Sequence, residues 1–183
     1  MPPPDRALLF DWGNTLMEDI PGFSGPMSGW PRVAVIPGVP ETLAGLKPSW
    51  RLAMATNAAD SDEPDIRAAL RRAALDPLID KVYCYRRLGC KKPSPEFFRA
   101  VLADLGLPAG RVVMVGDSLE GDVLGAVRAG LRAVWFHPAG PETIVTPHIR
   151  TLRDFRELPA LLADLAPDLA SPDRTPFTTD EHG

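Results

Sequence analysis

The 183-residue chain has only two cysteines, Cys84 and Cys90. They have no C-x-x-C spacing and no nearby histidine, so no zinc framework is expected, nor is a secreted disulfide scaffold. They are read as small apolar packing groups. The three histidines, His137, His148 and His182, have no spacing that makes a metal site and are read as surface or core residues. There is no excess of positive charge. A net charge of −4 supplies no field to draw in nucleic acid or an anionic membrane. No apolar run approaches membrane-spanning length. The start, M-P-P-P-D-R, lacks the cationic region and apolar core of a secretory signal. A cytoplasmic location is therefore expected, without nucleic-acid or membrane partners. Internal repeats and low-complexity tracts are also missing.

What is present is ordinary globular composition with one oddity, 21 prolines, roughly twice the usual share. Many fall where helices start or loops need stiffening. The length suits a single domain with a sizeable core. Short apolar runs predict five strands, at about Ala7–Phe10, Arg51–Ala55, Ile79–Tyr85, Val112–Val115 and Leu131–Phe136, with Arg32–Ile36 a possible short extra one. Between them lie helical patterns. One opens at Pro40 with Leu43 and Leu46 inward, and one carries Ile66, Ala69, Leu70 and Ala73 behind a capping-box spacing at Asp60 and Glu63. A third starts at Ser94-Pro95 and stops at Gly106, and a fourth is capped by Ser118 and ends at Gly130. A last short helix covers about Leu158–Leu165. Strands alternating with helices predict an α/β fold of three layers, a doubly wound, Rossmann-like parallel sheet covered on both faces. Residues 1–165 are assigned to this core, with 17–36 as a Gly- and Pro-rich insert and 166–183 as a frayed tail.

In a parallel sheet the strand ends share one edge, where ligands bind. Four of these ends carry polar residues. Asp11 follows the first strand in L-L-F-D-W-G-N-T, Thr56 ends the second, Lys92 precedes Pro93 in G-C-K-K-P-S-P, and Asp117 and Asp122 lie in V-G-D-S-L-E-G-D after the fourth. Each has a plain structural explanation as a turn former, cap or solvated charge. All four, in this order and each at a strand end, point instead to convergence on one site.

The combination resembles the haloacid dehalogenase (HAD) superfamily, most of whose members are magnesium-dependent phosphohydrolases. The likeness runs from Leu8 to about Leu165 and rests on four motifs in order. These are D-W-G-N-T-L (for D-x-D-G-T-L), A-T-N, K-K-P-S-P-E-F-F and G-D-S-x-x-x-D. The resemblance implies that Asp11 is the nucleophile and forms an aspartyl-phosphate. It implies a Mg²⁺ held by Asp11, Asp117 and the Gly13 carbonyl, with Asp122 supporting the set. Thr56 and the Asn57 backbone N–H would bind phosphoryl oxygens, Asn14 and Thr15 would complete the substrate side, and Lys92 would offset transition-state charge. Three carboxylates and a phosphate bring roughly five negative charges, of which Mg²⁺ and Lys92 return about three.

The departure lies at Gly13, where phosphatases of the superfamily carry a second Asp that protonates the leaving group and then activates water. Such help is worth ~10²–10⁴ in rate, and nothing obvious in the sequence replaces it. Three readings stay open. The chain is a phosphohydrolase for good leaving groups or with an acid from elsewhere; it performs another reaction; or it binds metal and phosphate without useful turnover as an interaction module. For the second, phosphonoacetaldehyde hydrolases share a D-W-A-G-T start but need a cap lysine, and residues 16–37 contain none. Haloacid dehalogenases also lack the second Asp but use a large cap. If acid help is what is missing, Gly13→Asp should raise turnover of an alkyl monoester by about tenfold or more. The insert 17–36 is too short for a separately packed cap, so Phe23 and Trp30 either form a small flap or simply pin a surface loop. The expected partner is a phosphorylated small molecule or a larger phosphorylated substrate; an open site suggests the larger substrate, or a neighbouring subunit of a homodimer as lid.

Overall fold

The computed structural model describes residues 3–170. Alternation along each strand builds the molecule. In β1 (Ala7–Phe10), Leu8 and Phe10 point to one face and Ala7 and Leu9 to the other, and all four are fully buried. Period-two side-chain alternation in a strand that is apolar at every position demands cover on both faces. Helices α1 (Val39–Leu46) and α2 (Glu63–Arg72) cover the first face. The short α3 (Tyr85–Leu88) follows the third strand. Helix α4 (Pro95–Leu105) and the segment running from a π-helical turn at Leu119–Leu124 into α5 (Gly125–Arg128) cover the second. Helix α6 (Leu158–Leu165) returns to the first face through Leu158, Leu162 and Leu165, and α7 (Pro167–Ala170) follows it.

The remaining strands are β2 (Arg51–Thr56), β3 (Lys81–Cys84), β4 (Val112–Gly116), β5 (Arg132–Phe136) and β6 (Ile149–Leu152). They form one parallel sheet in the order β3-β2-β1-β4-β5-β6. This is the three-layer, doubly wound arrangement that the strand–helix alternation predicts. The order reverses between β1 and β4, and at such a switch point the loops leave in opposite directions and open a crevice. Asp11 and Asp117 follow these two strands. The Asp11 N–H donates to the Val115 carbonyl at 2.9 Å, which extends the β1–β4 pairing into the loop.

Four expectations need correction. A sixth strand, β6, exists; its alternating I-R-T-L pattern at the sheet edge is half-buried, not continuously apolar. The cap of α2 is Asp62, paired reciprocally with Asp65, not Asp60 with Glu63, because Pro64 places the first helical turn two residues later. Residues 32–36 form no strand, only a single bridge from Val35 to Met17. The tail expected from 166 onward is partly folded, since Ala166 and Leu169 are buried against the first face. The rest of that tail, 171–183, lies outside the described residues, as does His182.

Candidate active site

Lys92 is the centre of the site. Its ammonium donates to Asp11 Oδ1 at 2.7 Å, Asp122 Oδ1 at 2.6 Å and the Ala55 carbonyl at 2.5 Å, with the side chain 2% exposed. Burial works to lower its pKa, but Asp11 and Asp122 outweigh that and raise it, so the group is charged. The Lys92–Pro93 peptide is cis. The Asn57 side chain also clasps the Lys92 backbone, with Nδ2 donating to the Lys92 carbonyl at 2.8 Å and Oδ1 accepting from its N–H at 2.9 Å.

Asp122 is bound on both oxygens, by Lys92 and, at 3.1 Å, by the Ser118 N–H. Its place depends on Gly116, since a Cβ there would lie 2.2 Å from Asp122 Oδ2. Neither the role of Gly116 nor that of Trp135, whose Nε1 donates to the Asp117 carbonyl at 2.9 Å, is visible in the motif pattern. Carboxylate oxygens of Asp11, Asp117 and Asp122 lie within 4.8 Å of one another. Burial first, then the charges of Asp11 and Asp122, push the Asp117 carboxyl up to about 6. Burial likewise raises Asp122 to about 6 against the opposing pull of Lys92. Three carboxylates around one ammonium are short of positive charge. An oxygen-only donor set with such a deficit fits a hard dication such as Mg²⁺.

The loop after β1 departs from expectation. Thr15 is fully buried, and its hydroxyl serves Asp117, accepting from the Asp117 N–H at 3.1 Å and lying 3.4 Å from Oδ1. It is a support for Asp117, not a substrate contact. Asn14 is exposed at φ 53, a left-handed conformation that Asn tolerates better than most residues. Its side-chain oxygen accepts from the Asp19 N–H at 3.1 Å, so it shapes the loop. The Trp12 carbonyl closes the same turn by accepting from the Leu16 and Met17 N–H groups at 2.9 and 3.1 Å.

Asp19 is the residue that sequence reasoning missed. Its carboxylate lies over Gly13, where a Cβ would stand 2.4 and 2.7 Å from its two oxygens. Burial and then the charge of Asp11 hold the Asp19 carboxyl above the usual range. The side chain introduced by Gly13→Asp would have to displace the Asp19 carboxylate.

Asp11, Gly13, Asp19, Thr56, Asn57 and Asp117 line a cavity of about 340 Å³, with Gly25, Met27 and Trp30 of the insert forming its far wall. Trp30 packs edge-on to Phe23, with ring centroids 5.6 Å apart, and its Nε1 donates to the Ser24 and Gly25 carbonyls. Arg72 of α2 ties the insert down through the Ser28 carbonyl at 2.8 Å. The insert thus contributes a wall of the cavity. The Thr56 Oγ accepts from the Ala58 N–H at 3.1 Å, which leaves its proton for an anionic partner. His137 stacks on Trp135 and pairs with Glu142.

A doubly wound α/β protein with a lysine-bridged carboxylate cluster at its switch point is the class that fold and site define. Comparison with known proteins narrows it. The family model for haloacid dehalogenase-like hydrolase matches residues 24–130, more than half of the sequence. The chain belongs to the haloacid dehalogenase-like hydrolases. A phosphoserine phosphatase of Thermus thermophilus is 35% identical over 127 residues, covering 67% of this chain and 50% of the relative. An uncharacterised protein from Listeria monocytogenes serotype 4b shares the fold with a TM-score of 0.76 and 26% identity, over 87% of this chain and 98% of the other. The HAD-hydrolase YfnB of Bacillus subtilis, solved with magnesium bound, has a TM-score of 0.69 at 19% identity, over 87% of this chain and 99% of that one. The chain spans about half the length of the curated relatives that it matches over two thirds of its own. Among the described residues no helix is long and apolar enough to cross a membrane.

Proposed function

We propose that the chain is a magnesium-dependent phosphohydrolase that works through an aspartyl-phosphate on Asp11, on a phosphorylated metabolite or a larger phosphorylated substrate. In this reading Gly13 stands where related phosphatases carry their second Asp, and the 17–36 flap takes the place of a cap domain. The observation that carries the reading is the Asp11 carboxylate at a strand end, gripped by a buried Lys92 and flanked by Asp117 and Asp122, on the wall of an open cavity. The phosphatase and nucleotidase names among the relatives support it.

The chain's own residues divide the work. Thr56 and the Asn57 backbone N–H hold the phosphoryl oxygens. The Asp11 carboxylate attacks phosphorus in line with the ester oxygen, and the P–O ester bond breaks. Water then attacks the phosphorus, the Asp11–phosphorus bond breaks, and inorganic phosphate leaves. Lys92 balances the charge that gathers on Asp11 and the equatorial oxygens. Asp11 and Asp117, with the Gly13 carbonyl, would hold Mg²⁺, and Asp122 would support them. The ion, when bound, supplies the positive charge that lets a carboxylate meet a phosphate dianion.

The test is turnover of acetyl phosphate and p-nitrophenyl phosphate with Mg²⁺, against a chelator and against Asp11→Asn. Turnover should need both the ion and Asp11, and beryllofluoride should add to Asp11. Metal-independent turnover, or full activity in Asp11→Asn, would refute the reading.

A further inference from the structure

We propose that Asp19 supplies the acid–base carboxyl of this site, reaching from the loop beyond Gly13 into the space that a side chain on residue 13 would occupy. The inference rests on the phosphohydrolase reading above and gives that reaction the proton donor that the first motif lacks.

In any aspartate, standard bond lengths put the carboxylate oxygens roughly 2.4 Å from the Cβ. A Cβ built on Gly13 would lie 2.4 Å from Asp19 Oδ2, 2.7 Å from Oδ1 and 2.8 Å from Cγ. The Asp19 carboxylate therefore sits in the shell where a carboxylate on residue 13 would be carried. It also lines the same cavity as Asp11, Thr56 and Asp117.

The backbone that carries it is held on both sides. Asn14, in its left-handed conformation, accepts from the Asp19 N–H at 3.1 Å. The preceding residues are fixed from the other side, where the Glu18 N–H donates to the Ala34 carbonyl at 2.9 Å and the Ile36 N–H to the Leu16 carbonyl at 3.0 Å. A side chain on Gly13 and the Asp19 carboxylate would compete for the same space, and one of them would have to turn aside. Trading a side chain on residue 13 for one from the next turn keeps the function and moves its source.

The chemistry balances. As Asp11 bonds to phosphorus and the ester P–O bond breaks, the Asp19 carboxyl gives its proton to the leaving oxygen, which departs as an alcohol. In the second half, the Asp19 carboxylate takes a proton from the water that attacks phosphorus. Phosphate leaves, Asp11 is regenerated as a carboxylate, and Asp19 is again protonated.

The experiment compares kcat/KM for glycerol 2-phosphate, whose alkoxide needs a proton to leave, with that for acetyl phosphate, whose acetate does not. It uses the full chain with Mg²⁺. Asp19→Asn should lower kcat/KM for glycerol 2-phosphate by about 10²-fold or more, and by at least tenfold more than for acetyl phosphate. The variant should also accumulate phosphorylated Asp11 from acetyl phosphate, because the second step loses its base. The double variant Gly13→Asp with Asp19→Ala should recover at least tenfold over Asp19→Ala alone. Circular dichroism of each variant checks the fold, and Asn at this exposed position changes neither size nor shape. Equal losses on both substrates, no loss at all, or a tenfold gain from Gly13→Asp with Asp19 intact would overturn the assignment while leaving the phosphohydrolase reading in place. A wild-type chain that hydrolyses neither substrate would remove that reading and this assignment with it.

Discussion

Replacing Lys92 with methionine keeps the length and apolar bulk of the side chain and removes only its charge. Two ion pairs go with it, at 2.7 Å to Asp11 and 2.6 Å to Asp122. At an effective dielectric constant of about 20, each such pair is worth about 6 kcal/mol of Coulomb attraction. Most of that offsets the cost of burying an ammonium whose side chain is 2% exposed. What remains after removal is a group of three carboxylates, within 4.8 Å of one another, without a counter-charge. Breaking a buried pair in this way costs about 3–5 kcal/mol, a large part of the 5–15 kcal/mol that holds a typical domain together. Urea unfolding followed by circular dichroism, in chelator, should show that loss. Mg²⁺ should stabilise Lys92→Met more than the wild type, because a dication answers a deficit that the lysine otherwise meets in part. The double variant Lys92→Met with Asp122→Asn should regain part of the stability, since it removes one of the stranded charges. A loss under about 1 kcal/mol in chelator, well below the cost of a stranded buried charge, or equal stabilisation of the two proteins by Mg²⁺, would refute the electrostatic account.

Two further outcomes follow from the same cluster. Asp117 and Asp122 hold their protons up to about 6, against an ordinary 3.8. Between those values the folded chain binds more protons than the unfolded one, so these groups subtract stability as pH rises from about 4 to about 6. Mg²⁺ requires the ionised forms, so its increment to the melting temperature should grow across that window, and an increment equal at pH 5 and pH 7 would contradict this. Gly116→Ala should drive Asp122 from its place, because the added methyl would stand 2.2 Å from Oδ2 and 2.4 Å from Cγ of a fully buried side chain. Overpacking of this kind costs about 1–3 kcal/mol, and the melt should also lose most of its response to Mg²⁺. A variant as stable and as metal-responsive as the wild type would show that Asp122 is free to move.

Much of this was written in local pattern. Apolar runs bounded by turn residues placed β1, β2 and β4 to within a residue or so of their ends. Ser94 and Gly106 bracketed α4, because a cap and a left-handed stop act through bonds to near neighbours. Strands of that kind, joined through helices, leave one edge for Asp11, Thr56, Lys92 and Asp117. Patterns failed where the partner was distant or the surface mixed. Strand β6 joins the sheet only because β5 offers it an edge. Arg72 ties down a flap whose carbonyls lie more than forty residues earlier.

The same division runs through the site. The order of residue types along the chain determined the acid after β1, the lysine before a proline and the paired aspartates after β4, since each lies in a short connection beyond a strand. Only tertiary structure decided what each side chain serves. It turned Thr15 inward to Asp117 and gave the Asn57 side chain to the Lys92 backbone. It also laid Asp19 over Gly13, a contact that depends on how an aperiodic loop folds back on itself and that no local preference encodes.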